Sequence, residues 1–197
     1  VLQKYGVPAT VFLPTGFIGT NKMFWTDRLA ILLKNAPAET VRSKSVCQEN
    51  PALEVIRSYR GKLSKRIELS IEYLKQKNCE TIERVLNELS ESTSVNDRNC
   101  RVFMTWDQVR ELRKTDLISF GSHTDQHQLL TNLGNMAIEK ELLASRQRLI
   151  QEQAVDSEFI PFCYPNGDYS DEIKAMVQKA GYASAFTTRS GDRKSTR

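Results

Sequence analysis

His123 and His127 are the only two histidines in the 197-residue chain, and they lie four positions apart. At that spacing two imidazoles fall on one face of a helical turn, or of a compact loop of similar pitch. Neutral imidazole is a common ligand for zinc and other divalent metals. The chemistry this pair suggests is therefore metal-assisted hydrolysis. The residues directly before it, Leu117-Ile118-Ser119-Phe120-Gly121, read as a strand, and parallel α/β folds collect their active sites at the C-terminal ends of strands. Asp125 is two positions from each histidine and points away from both in helical geometry, which makes it a supporting or solvent group rather than a third ligand. The plain alternative is a pair of surface histidines, since a bare spacing match has a false-positive risk. A catalytic zinc site commonly takes a third protein ligand, often a carboxylate, together with water. Nothing downstream of His127 supplies one.

A second constellation is Phe162-Cys163-Tyr164-Pro165-Asn166-Gly167-Asp168-Tyr169. It too follows a strand-like run. Pro165-Asn166-Gly167 forces a sharp turn, and Asp168 can cap a following helix. Such a turn can aim backbone N–H groups into a site, as oxyanion stabilisation requires. Its plain alternative is a structural strand-to-helix turn.

The elements that must position these groups alternate. Residues 1–5 with Gly6 read as the last turn of a helix closed by glycine,. Ala9-Thr10-Val11-Phe12-Leu13 is a buried strand ending at Pro14-Thr15-Gly16,. A domain rarely opens on the last turn of a helix, so the chain is expected to be N-terminally truncated. Helices are expected at Trp25–Asn35 and, in a charged region without strand signals, at 52–59, 64–77 and 81–90. This region reads as a helical insertion over 36–100. Thr105 is the N-cap of a helix reaching Lys114. Then come the strand 117–121, a helix Asn135–Gln151 with apolar Met136, Ile138, Leu142, Leu149 and Ile150, a strand at 158–164, a helix at 169–180 and a strand at 182–187,. Repeated strand and helix argue for a parallel α/β sheet or barrel. Residues 189–197 form a polar, basic tail,.

Composition narrows the classes. With 40% hydrophobic and 26% charged residues the chain is an ordinary soluble globular type, long enough for one sizeable core,. A net charge of +4, spread along the sequence, gives no reason to expect nucleic acid as a partner,. Its apolar runs are too short for a membrane span. Residues 1–10 have no basic region followed by an apolar stretch,. Cys47, Cys79, Cys100 and Cys163 include no CxxC pair, so a cysteine zinc site is not expected and all four are read as free thiols,.

Three segments, taken in order, resemble the polysaccharide deacetylases that share the chitooligosaccharide deacetylase homology domain (carbohydrate esterase family 4). They are Tyr5-Gly6-Val7-Pro8-Ala9-Thr10-Val11-Phe12, then Ile118 through His127, then Phe162 through Tyr169. His123-Thr124-Asp125-Gln126-His127 fits the family's H-[ST]-x-x-H motif in full. Phe24-Trp25-Thr26-Asp27-Arg28-Leu29 is similar to a subgroup with a helical insertion at this point. The resemblance implies residues 1–188 as one α/β domain, a partial distorted (β/α) barrel with a helical insertion. It also implies a metal-dependent hydrolase that removes N- or O-linked acetyl groups from an acetylated glycan, acting on carbon–nitrogen bonds other than peptides. Both motif histidines would bind a divalent metal, zinc first. Thr124 would steady the histidine loop. The metal would polarise the acetyl carbonyl and lower the pKa of a bound water. The family's two aspartates belong to a T-F-D-D segment expected upstream of Val1, and its later histidine is expected beyond Arg197.

The third motif departs from the family's R-x-P-Y form. Cys163 stands at the arginine place and Asn166 at the tyrosine place. A backbone N–H oxyanion donor at Asn166 can survive that change; the arginine's role cannot be assigned. Two other readings follow: a catalytically inactive glycan-binding domain of the same fold, and an interaction protein acting through its helical insertion.

Overall fold

The computed structural model describes residues 1–35, 50–91, 93 and 103–189. The chain divides into two compact units, residues 1–20 with 103–197, and residues 21–102.

The first unit opens with a single helical turn, α1 (Leu2–Tyr5). Gly6, at φ 61°, returns its N–H to the Leu2 carbonyl. Four strands follow in it: β1 (Ala9–Leu13), β2 (Ile118–Ser122), β3 (Pro161–Cys163) and β4 (Ser184–Phe186). They form one parallel sheet in the order of the chain, with Ala9 opposite Ile118, Ser122 opposite Phe162 and Phe162 opposite Ala185. Parallel neighbours need crossover connections. The helix Asn135–Gln151 joins β2 to β3, and the helix Asp171–Lys179 joins β3 to β4.

The sheet curls. Phe12 on β1 and Phe186 on β4 have ring centroids 5.5 Å apart, although two strands lie between their own. Three strand spacings in a flat sheet would separate those edges by about 14 Å. Side-chain alternation agrees: Leu13, Phe120 and Phe162 turn outward into the helix-covered core. Thr10 and Ser119 face inward, with their hydroxyls 2.8 Å apart. The architecture is therefore α/β, a partial, distorted (β/α) barrel. Gly121 is required by this curl. A Cβ there would sit 2.6 Å from the Pro161 carbonyl oxygen and 2.8 Å from the Phe12 ring.

The helix Trp106–Arg113 starts from Thr105 in a capping box with Gln108. The Asn135–Gln151 helix buries Ile138, Glu141, Leu142, Ser145 and Leu149. Met136, expected on the apolar face, is 88% exposed, because it sits in the first turn beyond the sheet's cover. Expected strand 158–164 shortens to Pro161–Cys163. The Glu158 N–H bonds the Asp156 side chain, and Asp156 bridges Phe159, so this stretch closes a turn before the sheet begins. The helix expected at 169–180 is Asp171–Lys179, capped by Ser170 rather than Asp168. Ser170 Oγ accepts the Ile173 N–H, whereas the Asp168 carboxylate accepts from Asn166.

The second unit is helical among its described residues. It contains Trp25–Asn35, Pro51–Ser58, Leu63–Leu74 and Cys79–Glu91, which we label α2 to α5. The three longer helices of the first unit become α6 (Trp106–Arg113), α7 (Asn135–Gln151) and α8 (Asp171–Lys179). Asn50 caps α3, with Pro51 at its first position,. Leu29, Leu32, Leu53, Ile56, Leu74, Val85, Leu86 and Leu89 form a core of the unit's own. Of the expected insertion, residues 36–49, 92 and 94–100 lie outside the described residues, as do Cys47 and Cys100 and the tail from 190 to 197. Cys79 and Cys163 are free thiols. No helix among the described residues is long and apolar enough to cross a membrane.

Candidate metal centre

Past the end of β2, the His123 N–H still bonds the Leu13 carbonyl at 2.9 Å, so the first histidine leaves the sheet at a fixed height. The chain then turns sharply. Thr124 has φ 64° and His127 φ 54°, both left-handed, and for a β-branched threonine this is a real outlier. Such residues cost of order 1–3 kcal/mol each and persist only where surrounding contacts over-determine them. Here two sets of contacts do so. From the β1 side, Thr15 N–H donates to the Thr124 carbonyl at 3.1 Å and Gly16 N–H to the Asp125 carbonyl at 2.9 Å. Thr15 Oγ1 donates to Asp125 Oδ1 at 2.8 Å. Gly16 must be small, because a Cβ there would lie 2.9 Å from the Asp125 carbonyl oxygen. From the α7 side, Glu141 Oε2 accepts the N–H groups of Asp125, at 3.0 Å, and Gln126, at 2.8 Å.

Within this frame the two imidazoles converge. His127 Nε2 lies 3.1 Å from His123 Nε2, with ring centroids 4.7 Å apart. His123 Nδ1 is 2.8 Å from the Cys163 carbonyl. A carbonyl only accepts, so Nδ1 carries the proton and the lone pair of a neutral ring is on Nε2. Burial pushes the His123 pKa down, against the opposing pull of the Cys163 carbonyl. His127 is lowered to about 4, by burial first and then by its neighbour His123. Both rings are therefore neutral at pH 7.

A carbonyl fixing the distal nitrogen of a metal-binding histidine is the usual supporting arrangement. Two nitrogens on one tetrahedral zinc, at about 2.0–2.1 Å each, stand about 3.3 Å apart. The observed 3.1 Å is close to that, so the pair fits two positions of such an ion. Among the described residues, no group of three or more His, Cys, Asp or Glu side chains is arranged to hold a metal.

The remaining predicted residues are placed as follows. Thr124 is fully buried. Burial pushes the Glu141 carboxyl above the usual carboxylate range, against the opposing pull of the Gln126 and Asp125 N–H groups. Asp125 turns toward Thr15. Asn166 is exposed at φ 59° in the 3₁₀ turn Pro165–Gly167. Its carbonyl accepts from Thr188 Oγ1 at 3.1 Å, and its Nδ2 donates to Asp168 at 2.7 Å. The structure thus brings His123, His127 and the Cys163 carbonyl together, with Asn166 three residues beyond. The Cys163 thiol is half-buried and burial pushes its pKa up. It stays neutral and supplies no charge where the family places an arginine.

Sequence reasoning missed Glu141, Thr15 and a hydroxyl network below the histidines. In that network the Tyr182 hydroxyl donates to the Leu142 carbonyl at 2.8 Å and lies 3.0 Å from Ser122 Oγ, which is 2.7 Å from Ser145 Oγ. One signal was available. Glu141 shares the apolar stripe of α7 with Ile138, Leu142 and Leu149, and a carboxylate there is buried only with partners.

A curled parallel sheet with paired histidines at a strand end defines an α/β-barrel type of protein with a candidate metal centre. The chain belongs to the polysaccharide deacetylase family, whose model matches residues 59–185. It is similar to a de-N-acetylase from Aggregatibacter actinomycetemcomitans, with 20% identity over 47% of this chain and 45% of that one, at a TM-score of 0.38. It is also similar to a polysaccharide deacetylase from Bacillus cereus, with 24% identity over 57% of this chain and 37% of that one, at a TM-score of 0.40. The chain spans less than half the length of either protein. A comparison with curated proteins found no match.

Proposed function

We propose that residues 1–188 serve as the deacetylase-like domain of a metal-dependent hydrolase that removes acetyl groups from a glycan, with the helices between 36 and 100 inserted into it. One observation carries the reading. Two neutral imidazoles converge at a strand end, at 3.1 Å, with the distal nitrogen of one fixed by a carbonyl. His123 and His127 would hold a divalent ion, zinc first, which when bound supplies Lewis acidity toward an acetyl carbonyl and water. Thr124 and the strained loop around it hold the two rings in register. The turn at Asn166 follows the strand that ends beside His123, and its backbone N–H would be the oxyanion donor. Nε2 of His123 stays available as a ligand because the Cys163 carbonyl keeps the proton on the other nitrogen.

The pair supplies two ligands, so the chain by itself is expected to bind metal weakly and to release acetate slowly from acetylated oligosaccharide. Turnover by this chain near that of complete enzymes would overturn the view that further ligands are needed. A specific observation favours a second reading, an inactive glycan-binding domain: Cys163 is neutral at the arginine place. Acetate assays on the natural full-length protein separate the two. Glycan binding without acetate release would favour the second.

A further inference from the structure

We infer that Glu141 is a positioning residue for the histidine pair, with its carboxylate occupying the anion-binding nest that the loop's own backbone forms. This rests on the proposed metal-binding role of His123 and His127. Two successive N–H groups, those of Asp125 and Gln126, converge on the single oxygen Glu141 Oε2 at 3.0 and 2.8 Å. Successive N–H groups next to a left-handed residue make a concave anion site. Thr124 provides that residue, at φ 64°. Here the anion comes from the protein. Charge-assisted hydrogen bonds of this kind are roughly twice as strong as neutral ones.

The position matters as much as the strength. Asp125 and Gln126 are two of the three residues between the histidines, and Gln126 is directly bonded in the chain to His127. Glu141 is 8% exposed, in the middle of α7 and between the buried Ile138 and Ser145. Its carboxylate is therefore held by a rigid element packed on the sheet. His123 is anchored separately, by the Leu13 and Cys163 carbonyls. His127 has no strand under it, and the Glu141 clamp fixes the backbone from which it hangs. From the α7 side, the carboxylate thus helps to set the distance between the two Nε2 atoms. Asp125 supports the same loop from the β1 side, where its carboxylate accepts from Thr15 Oγ1 and from the Gln126 side chain.

The test uses the 197-residue chain and two probes. The first is Co2+ alone, titrated into wild type, Glu141→Gln, Glu141→Asp and His123→Ala. Glu141→Gln keeps the shape but loses the charge and one acceptor, and should weaken binding by about 10- to 100-fold. Glu141→Asp, which keeps the charge, should recover part of this. The second probe is the imidazole 15N spectrum without metal, which holds only two residues' signals because the chain has only two histidines. Glu141→Gln should shift the His127 resonances more than those of His123, whose Nδ1 stays fixed by the Cys163 carbonyl. A folded Glu141→Gln chain with wild-type Co2+ affinity and unchanged His127 resonances would overturn the inference. If wild type binds Co2+ no better than His123→Ala, the metal reading fails. The 15N spectra then decide the positioning role without it. If Glu141→Gln does not fold, the Glu141→Asp spectrum decides, and unchanged His127 signals there would count against the clamp.

Discussion

The loops that follow β2 and β3 leave neighbouring parallel strands at the same end of the sheet, and both contain left-handed residues that are not glycine. Their supports differ. Thr124 and the two residues after it are gripped from two sides, by Thr15 and Gly16 beyond β1 and by a buried carboxylate of α7. Asn166 is exposed and tied mainly to its own surroundings, Asp168 and the Thr187–Thr188 stretch after β4. Asparagine tolerates the left-handed region, whereas a β-branched residue does not. The first loop thus stores strain against buried contacts and the second turns without it. Strain held in place by buried contacts is a marker of a site that needs fixed geometry.

Five measurements break or sharpen this contrast. The largest effect is expected from His127→Ala or His123→Ala, each of which should abolish measurable Zn2+ binding by calorimetry. Asn166→Ala should leave binding unchanged. Next comes pH. His127 titrates at about 4 in the folded chain against an ordinary 6.5, and His123 is also lowered. Folding therefore favours the neutral rings. Their contribution is complete above pH 6.5 and is lost as pH falls through 6.5 toward 4. Glu141, raised by burial, acts in the opposite sense at the acid end. Urea midpoints should decline across that window, and a His123→Ala, His127→Ala double variant should flatten the decline. A curve as steep in the double variant would show that the rings are not its source.

Gly16→Ala should lower stability by about 1–3 kcal/mol, because the new methyl presses on the Asp125 carbonyl and overpacked sites cost about that. It should also weaken Zn2+ binding by moving the loop; an unchanged loop would remove Gly16 from the support. Tyr182→Phe should cost about 1–2 kcal/mol in chemical denaturation, the loss of the buried hydroxyl's contacts to the Leu142 carbonyl and Ser122,. Smallest is Asn166→Gly, expected within about 0.5 kcal/mol of wild type, as for an unspecialised surface change. A loss above 2 kcal/mol there would show that the second loop is as tightly held as the first.

Much of the fold was legible. The β1 strand, α2 and α7 were readable from apolar run and period because their signals are local and complete. Boundaries after residue 156 were not. The Asp156 turn and the Ser170 cap compete with their neighbours for the same chain, and only packing chooses between Ser170 and Asp168. His123 and His127 were marked by spacing and position and Thr124 by the family resemblance, but the partners that hold the loop in shape were hidden. They lie in Thr15, 110 residues from Asp125 in the chain, and in Glu141, whose place on the α7 stripe was legible but whose loop partners were not.

By itself, the sequence determined that two histidines stand at the end of a strand in an α/β chain, since residue type, spacing and period are local properties. Only the tertiary structure decided that their Nε2 atoms meet at 3.1 Å, that Cys163 contributes a carbonyl rather than its thiol, and that a glutamate on α7 faces inward to hold the loop. Those facts depend on how the sheet curls and where α7 lies upon it. Contacts between residues so far apart in the chain exist only once the sheet and helices have packed.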